Sequence, residues 1–225
     1  MAEAALWLFD IDGTLLDTAG AGMSALREAA ATLFGSDGPP LDLAGATDLG
    51  VVAEIFDHHG AEPTESAVSG FFEIYLDRLQ RNLRDVRFQP RLLPGVRALL
   101  DELAARQVTV GLLTGNLEAG ARMKVRRFDL EHHFAFGAYG GEHADRNLLG
   151  PLAWRRAELH AGRSFTADEI LVVGDTPKDI ACAAAIGARC LAVATGHCGE
   201  DELAGAHRVV TDLNDPAGWR DFLAT

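Results

Sequence analysis

A chain of 225 residues in which 48% are hydrophobic carries enough apolar material for a packed core, which excludes a disordered chain. A formal charge of −13 and a pI near 4.9 argue against a nucleic-acid backbone or an anionic membrane surface as the main partner. They leave room for a small phosphate ligand, because a cation held by acidic side chains inverts the local field.

The N-terminus, MAEAALWLFD, has no basic segment ahead of its apolar run, so it does not read as a secretion signal. No stretch is long enough to span a bilayer, and the expectation is a cytoplasmic protein. The run at 5–9 (ALWLF) reads as a buried strand ending on Asp10, with Asp12 one residue beyond Ile11. From about 18 to 89 strand patterns stop. Helical periodicity replaces them in GMSALREAAATLF, DLGVVAEIFDHHG and ESAVSGFFEIYLDRLQRNL, with turn-rich GSDGPP and FQPRLLPG alongside. Phe71, Phe72, Tyr75 and Leu79 have the spacing of a buried helical stripe. Pro94-Gly95 then opens the helix VRALLDELAAR. A strand at 108–114 follows, then the helices LEAGARMKVRRF and PLAWRRAEL. A strand at 170–174 leads into the helix PKDIACAAAIG, and strands at 190–195 and 207–211 complete the chain. Strand–helix alternation predicts an α/β fold with a doubly wound parallel sheet, formed by 1–17 and 90–225. The segment 18–89 is then a helical insertion. The three cysteines, Cys182, Cys190 and Cys198, are odd in number and contain no C-x-x-C pair, so they read as free thiols.

In such sheets ligands sit at the carboxyl ends of the strands. The polar residues there are Asp10, Asp12, Thr114, Gly115, Asn116, Asp175 and Asp179. Two like charges 4 Å apart repel by about 4 kcal/mol at an effective dielectric of 20, so these carboxylates need a cation. Oxygen-only ligands favour a hard ion such as Mg²⁺, which takes one or two carboxylates together with a substrate phosphate. Once the phosphate charge is neutralised, one Asp can attack phosphorus while a second, two residues away, moves protons.

DIDGTLLDT resembles the first motif of the haloacid dehalogenase-like hydrolase superfamily, VGLLTGN the second and LVVGDTPKDI the fourth. Their order, and the helical insertion after the first, resemble the phosphoglycolate-phosphatase-like branch, whose insertion is an α-helical cap. The resemblance implies that Asp10 is the nucleophile and Asp12 the acid/base, with the Asp12 carbonyl on Mg²⁺. It places Thr114 on the phosphoryl group beside Gly13, Gly115 and Asn116, and Asp175 and Asp179 at the metal. Dehalogenases of the superfamily lack the second Asp, so Asp12 implies a phosphate-handling member acting on a small phosphorylated metabolite. A phosphomutase of the β-phosphoglucomutase type shares both aspartates and is the alternative. A non-catalytic phosphate binder is the other. A phosphonoacetaldehyde hydrolase needs a cap lysine, and no lysine lies between Leu15 and Pro90.

The family's third motif, usually Lys-Pro, is absent. Arg146, before PLAWRRAEL, is the best-placed replacement, and Lys178, inside the fourth motif, is the next. Lys124, in the preceding helix, stands where other members often carry a structural lysine. Several features also have purely structural readings. Thr176-Pro177-Lys178-Asp179 makes a good helix start, and Thr114 and Asn116 could cap a helix. In AGATDLG, Thr47 and Asp48 could face substrate or start a helix. GAGMSA fits a dinucleotide fingerprint only weakly, since no strand directly precedes it. The adjacent pairs His58-His59 and His132-His133 read as surface residues.

Overall fold

The computed structural model describes residues 3–223. Its centre is a six-stranded parallel sheet in the order β5-β4-β1-β6-β7-β8. The strands are β1 (Leu6–Phe9), β4 (Thr109–Thr114), β5 (Gly137–Tyr139), β6 (Ile170–Gly174), β7 (Arg189–Val193) and β8 (Arg208–Val210). All five predicted strand runs lie within a residue or two of their observed bounds. The fifth, 207–211, is trimmed to three residues.

Alternation along each strand sets the layers. Trp7, Phe9, Leu171 and Val173 point to one face, where they meet helices α4 (Val96–Ala105) and α5 (Glu118–Arg126) and the C-terminal Trp219 and Phe222. Leu6, Leu8, Ile170 and Val172 point to the other, under α6 (Leu149–Ala161) and α7 (Pro177–Ala185). Burial of both faces explains why the strands read as unbroken apolar runs.

Between β1 and α4 the chain forms α1 (Ala21–Phe34), α2 (Asp48–His58) and α3 (Glu65–Asn82), which share a separate core. Phe56 sits at its middle, edge-on to Phe34 at 5.1 Å and near Phe71 at 6.1 Å. Phe71, Tyr75 and Leu79 are buried as expected, and Phe72 is half-buried. The chain enters and leaves this layer through a small antiparallel pair, β2 (Leu16–Asp17) with β3 (Arg91–Leu92). That pair and β5 are absent from the sequence reading, because two- and three-residue strands carry no periodicity. His58 and His132 are exposed. His59, stacked on Phe34 at 4.4 Å, and His133 are half-buried, contrary to the expectation of surface pairs. All three cysteines are free. Among the described residues no helix is long and apolar enough to cross a membrane.

Candidate active site

Three neighbouring strands deliver the acidic groups to one place. β1 ends at Phe9, so Asp10 emerges at the sheet edge, buried, with its amide donating to the Val173 carbonyl at 3.0 Å. β4 ends on Thr114, whose hydroxyl hydrogen-bonds the Asp10 carboxyl. β6 hands on to Asp175, which accepts from the Thr14 hydroxyl at 3.1 Å. Gly13 has φ +80°, and a Cβ there would stand 2.2 Å from an Asp175 oxygen. Only glycine serves both needs. A Cβ at Gly196 would come within 1.7 Å of the same oxygen.

Two cations answer these acids. Arg146 lies in a short 3₁₀ turn, Arg146–Leu148, started by the Asp145 side chain accepting from the Asn147 amide. Its buried guanidinium donates to the Leu113 carbonyl at 3.3 Å, lies 3.4 Å from Asp10 and pairs closely with Asp179. The other Asp179 oxygen accepts from the Thr176 amide at 3.1 Å and hydroxyl at 2.7 Å, completing the capping box of α7. Both Asp179 oxygens are therefore engaged.

The second cation is Lys124. From α5 its ammonium reaches Asp12 at 2.6 Å and the Asn116 side-chain oxygen at 2.5 Å. Asn116 also donates to Asp12 and to the Thr114 hydroxyl, both at 2.8 Å. The sequence reading left Lys124 with a structural place only. Its signal was its rarity, as one of two lysines in the chain. Asn116 is not the helix cap, since Leu117 holds that position on α5.

Burial governs the ionisation of the acids. It lifts the Asp10 carboxyl to about 6 against the opposing pull of Arg146, and Asp179 and Asp12 raise it further. Burial lifts Asp175 to about 8, helped by its neighbours Asp10 and Asp179. Arg146 stays charged: burial opposes its proton, but Asp179 and Asp10 hold it above its ordinary range.

The helical layer closes over these groups, leaving a cavity of about 530 Å³ lined by Asp10, Asp12, Asp175, Lys124 and Arg146 on the sheet side. Thr47 caps α2, accepting from the Gly50 amide at 3.1 Å and donating to the Ala144 carbonyl at 2.8 Å, and it does not line the cavity. Asp48 does line it. Its amide donates to the Gly115 carbonyl at 2.7 Å, and its carboxylate accepts from the Leu117 amide at 2.7 Å. Burial raises Asp48 to about 6, partly offset by Lys124. Lys178 is exposed and outside the cavity, its stem beneath Gly45. Arg146, not Lys178, therefore stands against Asp10.

Asp10, Asp175 and Asp179 can each offer an oxygen within 4.8 Å of one another. An oxygen-only set, with two members whose protons are held more tightly than usual by burial and mutual repulsion and with the space on Asp175 kept clear by two glycines, fits a hard divalent cation.

The model of the haloacid dehalogenase-like hydrolase family matches residues 7–193. Phosphoglycolate phosphatase of Rhodospirillum rubrum is 29% identical over 220 residues, covering 96% of this chain and 90% of that one. Among solved structures, a mutant CbbY of Rhodobacter sphaeroides in complex with xylulose-(1,5)-bisphosphate superposes with a TM-score of 0.78 at 20% identity, over 98% of this chain and all of that one. The β-phosphoglucomutase of Clostridium difficile superposes with a TM-score of 0.72 at 18% identity, over 95% and 92%. These two likenesses are of fold. The chain belongs to the haloacid dehalogenase-like hydrolase family, on its phosphoglycolate-phosphatase-like branch.

Proposed function

We propose that the protein is a Mg²⁺-dependent phosphatase that hydrolyses a small phosphorylated metabolite through an aspartyl-phosphate on Asp10. The observation that carries this reading is the position of Asp10. It is buried at a strand end between the Thr114 hydroxyl and the Arg146 guanidinium, with Asp12 held in the same cavity by Lys124 and Asn116. An Asp10 oxygen attacks phosphorus, the ester P–O bond breaks, and protonated Asp12 gives its proton to the departing alcohol. Water then attacks the acyl phosphate, Asp12 takes the water's proton, and inorganic phosphate leaves with Asp10 regenerated. Thr114 and the Gly115 and Asn116 amides orient the phosphoryl oxygens, and Arg146 holds the Asp10 carboxylate.

Asp10, Asp175 and the Asp12 carbonyl would hold the Mg²⁺, which when bound neutralises charge on the phosphoryl oxygens. Asp179 belongs to the same acidic group, but with both oxygens committed its part is to anchor Arg146. The helices of 18–89 act as the cap that excludes water from the first step.

The test is phosphate release from an aryl phosphate and a panel of alkyl phosphates, with Mg²⁺ or with chelator. Release should require Mg²⁺ and fall at least about 10⁴-fold in Asp10→Asn with the fold intact. Mg²⁺-independent release, or an active Asp10→Asn, would overturn the reading. Phosphate passed to a sugar hydroxyl instead of water would point to the mutase.

Lys124 acts through Asp12 and is a positioning residue. Lys124→Met should lower kcat on alkyl phosphates by about 100-fold, within the range of general-acid catalysis. A nitrophenyl phosphate, whose leaving group needs no proton, should lose much less. Equal losses on the two substrate types would show that Lys124 supports only the fold.

A further inference from the structure

The cavity has a second wall, and its chemistry restricts what can be attached to the phosphate. On the side of the helical layer it is lined by Met23 and Leu26 of α1, Val51 of α2 and Tyr75 of α3, with buried Asp48 and exposed Asp42 as its charged groups. Asp48 is fixed there by backbone bonds to Gly115 and Leu117. Counting the whole lining, six carboxylates face three permanent cations. Among the described residues each of those cations is already matched to an acid. Arg146 is held by Asp179 and Asp10, Lys124 by Asp12 at 2.6 Å, and Arg91, at the open rim, by Asp17 at 3.0 Å.

We propose that the site takes phosphate monoesters of uncharged, hydroxyl-bearing alcohols and rejects esters whose alcohol part carries a second anion. The inference rests on the phosphatase reading and specifies its substrate class. A bound phosphate occupies Arg146, Thr114 and the metal, so a second carboxylate or phosphate would enter the other end of the cavity, among Asp48, Asp12 and apolar side chains. Among the described residues no unpaired arginine or lysine lines that end, and a buried anion without a partner is strongly disfavoured. A hydroxyl meets the opposite reception, because Asp48 lines the cavity as an acceptor and the methylenes of a short carbon chain find Met23, Leu26 and Val51. Discrimination of this kind works by repelling the wrong ligand as well as by attracting the right one.

The test compares matched pairs in kcat/KM: hydroxyethyl phosphate against phosphoglycolate, which differ by an alcohol in place of a carboxylate, and a hexose monophosphate against its bisphosphate. An aryl phosphate serves as control. Wild-type protein should prefer the neutral member by at least about tenfold. Asp48→Asn keeps an acceptor for the Leu117 amide and should shrink that preference to about threefold or less. Met23→Lys, at a half-buried lining position, should raise kcat/KM for phosphoglycolate about tenfold. Turnover of the control together with an equal or better rate on phosphoglycolate would overturn this inference and leave the phosphatase reading standing. A preference unchanged in both variants would overturn it too. No phosphate from any ester, control included, would overturn the phosphatase reading and this inference with it.

Discussion

Arg146→Ala is expected to destabilise the protein by about 3–5 kcal/mol and to lower phosphatase activity near neutral pH by at least about 10³-fold. The size of both effects follows from what the guanidinium leaves behind. Arg146 is buried between Asp10 and Asp179, and Asp175 stands in the same group. Without it, three buried carboxyls face one another with no permanent cation among them. They respond by keeping protons, so Asp10, already lifted to about 6, moves higher and is no longer an anion when substrate arrives. Activity should therefore return in part as pH rises, whereas a purely structural defect would lower it equally at every pH. Arg146→Lys separates charge from shape. An ammonium restores a positive charge, but as a compact, strongly hydrated point charge in place of the planar, weakly hydrated guanidinium whose Nη2 meets Asp10, Asp179 and the Leu113 carbonyl. It should recover most of the stability and only part of the rate. Denaturant unfolding and kcat from pH 6 to 9 on both variants provide the check. An Arg146→Ala protein of wild-type stability would show that the pair contributes nothing net.

What the sequence disclosed of this site, and what it hid, divides along a physical line. Asp10, Thr114 and Asp175 were legible because each directly ends a short apolar run, and parallel strands of a doubly wound sheet put their carboxyl ends on one edge. Arg146 was legible only by its place in the order of motifs. Its reach to Asp179, 33 residues away, comes from how α6 and α7 pack, which no local pattern encodes. Lys124 reads only as a structural lysine, and Asp48 equally as a substrate-facing residue and as a helix start, for a related reason. On a helix, a lysine reads as a solvated face and a first-turn aspartate as a dipole partner. Asp48 becomes a site residue because the helical layer folds back over the strand ends and brings it to Leu117, and Lys124 because α5, packed on the face of Trp7 and Phe9, carries its ammonium to Asp12. Lys178 erred the other way. It lies one residue from Asp179 in the chain, but it sits at the second position of α7, whose capping box turns Asp179 inward and leaves Lys178 outside.

In chelator the protein should lose stability as pH rises from about 4 to 8, the reverse of what paired surface carboxylates produce. Burial and mutual repulsion lift Asp175 to about 8 and Asp10 to about 6, against an ordinary value of 3.8. Between those limits the folded form binds more protons than the unfolded chain, so raising the pH drains protons from the folded form and favours unfolding. Below pH 4 both forms are protonated and the difference vanishes. A shift of about 2 kcal/mol would lower the thermal midpoint by roughly 4–8 °C for a chain of this length. Mg²⁺ should flatten or invert the slope, because a cation binds the ionised carboxylates of the folded form and not the unfolded chain. Asp175→Asn should flatten it without Mg²⁺, since an amide needs neither proton nor metal. Thermal midpoints at pH 5 and pH 8, each in chelator and in Mg²⁺, decide the matter. A midpoint in chelator that does not fall between them would mean that Arg146 alone suffices to keep the acids ionised, and the case for a divalent cation at Asp10 and Asp175 would lose its electrostatic ground.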